Sequence, residues 1–291
     1  GYDTGERDVP DFIRAGGLTQ PSFTSAQIAT LTNAQTTLVE ANYHLPPNWS
    51  GDLNFGHSVD VGSVRLGVIA SASVSNSFRT RDAVQQDTTD VDGALRSDFR
   101  TVLTDNRAVV NGLLGFGAEF GEHKVRWTNV YIHDTLKQAR LGAATVYPNS
   151  NGDQVLQQNT NWFERQLMNT QLAGEFKFDD LKVDLRGSYA KTERNAPYER
   201  YFIYRFDQTA AGGQGLWVNS LNGLGEAATI AFSELNEELW SGQADVAYKL
   251  PTARPMTVSA GYFYSDTQRD SFRYDFRYRS YLGGGISTPW S

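Results

Sequence analysis

Residues 63–79 read SVRLGVIASASVSNSFR. Val64, Leu66, Val68, Ala70, Ala72 and Val74 occupy one set of alternate positions; Arg65, Gly67, Ile69, Ser71, Ser73, Ser75, Ser77 and Arg79 occupy the other. A period of two predicts a strand with one apolar and one polar face. Its length decides what kind of strand. Strands of globular domains usually run to about five or six residues, and this alternation persists roughly three times as far.

The pattern recurs along the chain. Val110, Gly112, Leu114, Phe116, Ala118 and Phe120 alternate with Asn111, Leu113, Gly115, Gly117 and Glu119. Further alternating stretches are expected at 168–176, 183–190, 240–248 and 257–264, with weaker ones around Trp49 to Gly56 and from Val125 to Asp134. This makes eight expected strands. Short turns join them in pairs at 59–62, 121–124, 178–181 and 251–255, and long polar segments at 81–99, 137–159 and 195–234 are expected as loops between the pairs. Tight turns at one end and long loops at the other are the asymmetry of outer-membrane barrels. A globular domain seldom carries loops so long without structure of their own, and helical periodicity is confined to SAQIATLTNAQTTLVEA at 25–41.

Composition agrees with this class. No run approaches 18 apolar residues, which leaves membrane crossing to strands, whose alternation keeps mean hydropathy low; the value here is −0.46. A net charge of −7 opposes nucleic-acid binding. The absence of cysteine excludes disulfides, thiolate metal sites and thiol nucleophiles. Aromatic residues gather at two levels. Phe55, Phe120, Phe176, Phe178 and Tyr248 lie beside the short turns, while Trp162, Tyr189, Trp240, Tyr262 and Tyr264 lie higher. Trp240 and Tyr248 share a face eight residues apart, about 20 Å of height on a strand tilted by 45°, close to the spacing of aromatic girdles. The fold class expected is therefore all-β, a transmembrane antiparallel up-and-down barrel.

The chain starts and finishes at the long-loop end, so residues 1–291 are expected to form one internal part of a larger barrel, with the first and last strands as edges awaiting neighbours. The strand motifs carry a resemblance. WFERQLMNTQLAGEFKF at 162–178 resembles the recurring barrel strand of TonB-dependent outer-membrane receptors, with Arg-x-Leu followed by Gln and Gly before a tight turn. VDLRGSYAKTERNAPYER at 183–200 is similar to the strand that follows it there, and FIRAGGLTQPSFTSAQI and LGVIASASVSNSFRTRD read like the same barrel. The resemblance implies a 22-stranded barrel around a plug, taking up a bulky scarce nutrient such as a ferric siderophore, with energy delivered by the TonB complex through a TonB box. Neither plug, TonB box nor C-terminal strand is expected within these residues.

Candidate ligand contacts lie in RNAPYERYFIYRFDQTAAGGQGLWVNSLNG, where Arg194, Arg200 and Arg205 interleave with Tyr198, Tyr201, Tyr204 and Trp217. Guanidinium groups and aromatic faces suit planar anionic ligands; the same alternation reads equally as a strand continuing above a membrane. Arg269, Arg273, Arg277 and Arg279 form a second basic and aromatic tract. Catalysis is not expected: no G-x-S-x-G or H-E-x-x-H occurs, and His133 and Asp134, as neighbours on a strand, point to opposite faces. Asp87, Asp90 and Asp92 lack the spacing of a calcium loop. No cofactor and no metal are expected, and outer-membrane lipid is the expected surroundings. A general porin and a surface-adhesion barrel displaying its loops remain as other readings.

Overall fold

The computed structural model describes residues 2–5, 7–16, 23–32, 39, 41–88, 91–148, 152–221, 225–279 and 286–289. All eight expected strands are present: β1 (Trp49–Val61), β2 (Val64–Thr88), β3 (Leu95–Phe120), β4 (His123–Val146), β5 (Val155–Phe178), β6 (Leu181–Asp207), β8 (Ala228–Leu250) and β9 (Met256–Arg277). Two short strands, β7 (Leu216–Leu221) and β10 (Ile286–Pro289), extend the sheet beside the top of β6. The long strands pair antiparallel in chain order. The result is an up-and-down sheet, not a closed barrel: β1 pairs with β2 alone and β9 with β8 alone. Both outer edges are thus unpaired among the described residues.

The strands are far longer than the alternation predicted, 25 residues in β2 and 27 in β6. Most of 81–99, 137–159 and 195–234, expected as loops, is strand: β2 reaches Thr88, β4 reaches Val146, β6 reaches Asp207 and β8 begins at Ala228. The physical reason is the loss of contrast between faces: residues 81–88 of β2 are mostly polar on both, while the upper parts of β6 and β8 bury apolar side chains on both, as at Phe202 and Ile203 or Ile230 and Ala231. The end-to-end asymmetry survives the correction. Connections at 62–63, 121–122, 179–180 and 251–255 face longer ones at 89–94, 147–154 and 208–227. In the three two-residue turns the first residue has positive φ (Gly62 63°, Gly121 59°, Asp179 48°), the backbone that lets a tight hairpin match the strand twist. The expected helix at 25–41 is α2 (Ser25–Thr32), and a second, α1 (Asp11–Gly16), precedes it; 33–38 and 40 lie outside the described residues.

Register turns the alternation into two faces. One row runs Val59, Leu66, Ala118, Val125, Gly174, Leu185, Ala244, Tyr262 across all eight long strands and contains no charge. The next row, one residue along and therefore on the other face, runs Asp60, Arg65, Glu119, Lys124, Glu175, Asp184, Asp245, Gly261. The apolar face continues upward through Phe116, Trp127, Leu172 and Trp240, which are exposed. It ends about ten residues above the turns, where His133, Gln166, Glu193 and Asn236 come into register. The buried core sits above this band, in the upper half of β3 to β8.

Candidate functional site

A defect in β6 organises the upper sheet. Pro197 has no N–H to give the ladder, Tyr198 adopts φ 57°, and the pairing with β8 shifts between Ala196 and Glu199 while that with β5 shifts between Thr160 and Glu164. Beyond this bulge Arg200, Phe202 and Tyr204 share the face that carries the apolar band lower down. Val9, Ile13 of α1 and Leu31 of α2 cover them, forming one core with Tyr198, Ala228, Ile230 and Phe232. The Tyr198 hydroxyl donates to the carbonyl of Leu31. Arg200 is buried inside this core: its guanidinium lies 3.9 Å from the Phe202 ring and donates to Gln158 Oε1 (3.2 Å) and Tyr204 Oη (2.9 Å).

The seven residues expected to contact ligand are therefore split. Tyr198, Arg200 and Tyr204 belong to that core, and Trp217 packs against it from β7, edge-on to Phe206. Tyr201 lies on the opposite face against Phe99, Ala144, Val155 and Ile203, where burial pushes its hydroxyl up to about 12. Arg205 pairs with Asp153 at 3.0 Å. Arg194 donates to Ser233 Oγ at 3.1 Å and covers the Phe163 ring. In the last strand, Arg269 pairs with Glu237, and Arg273 with Glu199 and Asp275, so this tract knits β9 to β8 and β6.

Below the bulge, the same cover makes a cavity that spacing along the chain gave no sign of. Tyr2 stacks on His133 with centroids 3.9 Å apart, and its hydroxyl meets Tyr131 Oη at 2.9 Å. Tyr131 donates to Gln166 Oε1 (3.0 Å), and Gln166 donates on to Glu193 Oε2 (3.1 Å). Glu164 accepts the Trp162 indole N–H at 2.8 Å and the backbone N–H of Asp3. Arg7 and Lys137 each lie 4.1 Å from the Trp162 centroid. Burial, and then the charge of Arg7, hold the Lys137 ammonium below its ordinary range. Between residues 8–14 and the sheet is a cavity of about 380 Å³. His133 lines it, but Asp134 does not. As strand geometry predicts, Asp134 is on the other face, where it takes a two-point contact from Arg107 (2.8 and 3.0 Å). Among the described residues no group of three or more His, Asp or Glu side chains could hold a metal ion.

The polar face was only half legible in the sequence. Strand by strand its alternate positions are mostly Ser, Gly, Asn and Gln, yet register aligns seven charged residues near the turns. They are partly compensated by contacts of Arg65 with Asp60 (2.8 Å), Lys124 with Glu119 (3.1 Å) and Arg126 with Glu175 (2.7 Å). No known protein family, curated protein or solved structure matches the chain.

Proposed function

We propose that this chain forms part of the wall of an outer-membrane barrel of the TonB-dependent receptor type, serving uptake of a bulky scarce nutrient, with a ferric siderophore as the leading substrate class. In this reading the chain is not an enzyme, its surroundings are outer-membrane lipid, and energy reaches it from the TonB complex through a plug and TonB box outside these residues. The observation that carries the membrane part is the exposed apolar band. It is continuous across eight strands, about ten residues tall on each, and stands opposite a charged row in the adjacent register. About ten residues on tilted strands is the span of a bilayer core, and exposed side chains of this kind in water would mark an aggregating surface. The transport part rests on the strand motifs at 162–178 and 183–200 and on the polar opposite face, which suits an aqueous lumen.

The charged row supports a second reading. Opposed basic and acidic side chains on a lumen wall suit a general porin, which needs neither plug nor energy source. The row stands beside the short turns rather than halfway up the strands, where a constriction would work best, so the receptor reading is retained.

The chain's freedom from cysteine allows a direct test. Leu172→Cys and Val246→Cys should resist a water-soluble maleimide in intact outer membranes yet react with a lipid-soluble one. Gln171→Cys and Gln243→Cys, on the other face, should show the reverse preference. Water-soluble labelling of the first pair would overturn the membrane placement. For transport, iron-starved cells lacking the gene should lose uptake of one ferric siderophore; unaltered iron uptake with lost diffusion of small solutes would favour the porin.

A further inference from the structure

We infer that the cavity between residues 8–14 and the bulge of β6 binds an aliphatic diamine or polyamine. Four carboxylates (Asp8, Glu164, Glu193, Glu234) face two guanidinium groups in its lining. Those guanidinium groups are engaged: Arg14 Nε donates to Val9 O at 3.3 Å, and Arg194 to Ser233 Oγ. Among the described residues the Asp8 carboxylate accepts no ion pair, and Glu234 accepts only the Asn236 amide at 2.8 Å. A second observation is independent of these acids. His133 is 4% exposed, lines the cavity, and its Nδ1 has no hydrogen-bond partner among the described residues. Its Nε2 meets Thr135 Oγ1 at 3.1 Å and stands 3.9 Å from Glu164 Oε2. With Nε2 as the donor, Nδ1 is a buried acceptor, and a buried polar atom without a partner costs about 1–3 kcal/mol. In this tautomer the acceptors left over in the lining are His133 Nδ1 and the carboxylates of Asp8 and Glu234, and four carboxylates outnumber two guanidinium groups; that balance calls for a ligand rich in N–H donors and positive charge.

The shape of the lining narrows the class. No three of these carboxylate and imidazole groups come together as a metal-ligand set. Val9, Phe232 and Phe272 supply apolar wall between the acids, suiting a methylene stem between ammonium groups. The volume is ample for a small ligand. Face assignment also separates this site from any lumen: His133, Gln166 and Glu193 share their face with the apolar band. The cavity therefore lies on the flank of the sheet, just above that band. The inference stands on these contacts and does not rest on the receptor reading.

The test is calorimetric titration of the detergent-solubilised 291-residue chain with putrescine and with spermidine, with magnesium chloride and glutamate as comparison ligands. Saturable binding of the amines at one site per chain is expected. Glu234→Gln and Asp8→Asn, both isosteric and checked for unchanged circular dichroism, should each weaken it about tenfold, or about 1.4 kcal/mol. Glu175→Gln, on the opposite face, should leave it unaltered. Absence of amine binding, equal competition by magnesium, or equal weakening by all three substitutions would overturn the assignment.

Discussion

At the scale of single residues, the upper sheet shows how a binding-like composition can be consumed by packing. Arg200 sits where aromatic rings and a charge occur together, yet it faces Phe202, Gln158 and Tyr204 under the cover of Leu31 and Ile13. Arg200→Ala removes the two charge-assisted hydrogen bonds to the buried Gln158 and Tyr204 and leaves a gap beside Phe202. A loss of about 2–4 kcal/mol is expected, read as a lower urea midpoint in detergent; an unaltered midpoint would mean that the cover over Arg200 opens in solution. Turn residues give a smaller effect of predictable sign. Asp179 holds φ 48° in a two-residue turn, a conformation glycine adopts without a Cβ penalty, so Asp179→Gly should stabilise by about 0.5–1 kcal/mol. Gly121→Ala, at φ 59° in the equivalent turn, should destabilise by about 1 kcal/mol. Equal effects of one sign would show that the turns do not hold the geometry described.

At the scale of elements, the lower half of each strand and the upper half speak differently through sequence. Val64 to Val74 alternate sharply because one face carries only apolar side chains, and the strand was legible from that contrast. Gln85, Gln86 and Asp87 belong to the same β2, but polar residues face both ways there and the alternation disappears. The seven candidate residues in 194–217 failed as one site for a related reason: the bulge at Ala196–Glu199 changes register, so spacing no longer reports the face. The cavity by His133 depends on Asp8, Val9 and Arg14, more than a hundred residues earlier in the chain, a placement that no local pattern encodes. The face assignment makes a sharp prediction for β5. Leu172→Arg places a charge in the apolar band and should cost about 2–4 kcal/mol if lipid covers it. Gln171→Arg, its neighbour on the polar face, should cost less than about 0.5 kcal/mol. Refolding into lipid vesicles under graded denaturant measures both, and equal costs would remove the distinction between the faces.

At the scale of the whole molecule, the two free edges are the dominant physical fact. β9 runs 22 residues without an outer partner among the described residues, and its lower part, MTVSAGYFY at 256–264, carries no charge. An uncharged strand with an open ladder is a template for further pairing. In lipid such an edge is untenable, since each unpaired backbone group there costs several kcal/mol. The membrane reading thus demands neighbours for β1 and β9, and it separates the isolated chain from the native assembly. The isolated 291-residue chain in detergent should self-associate, and Phe263→Lys, a charge on the polar face of β9, should shift its sedimentation toward 32.3 kDa of protein per particle. Amides of 256–264 should exchange with deuterium within minutes in that variant; on the proposed membrane reading they should remain protected in outer membranes, because that reading requires partner strands along the edge. Protection of the same amides in a monomeric isolated chain would mean that β1 and β9 close on each other, and the larger barrel would fall with the open edge.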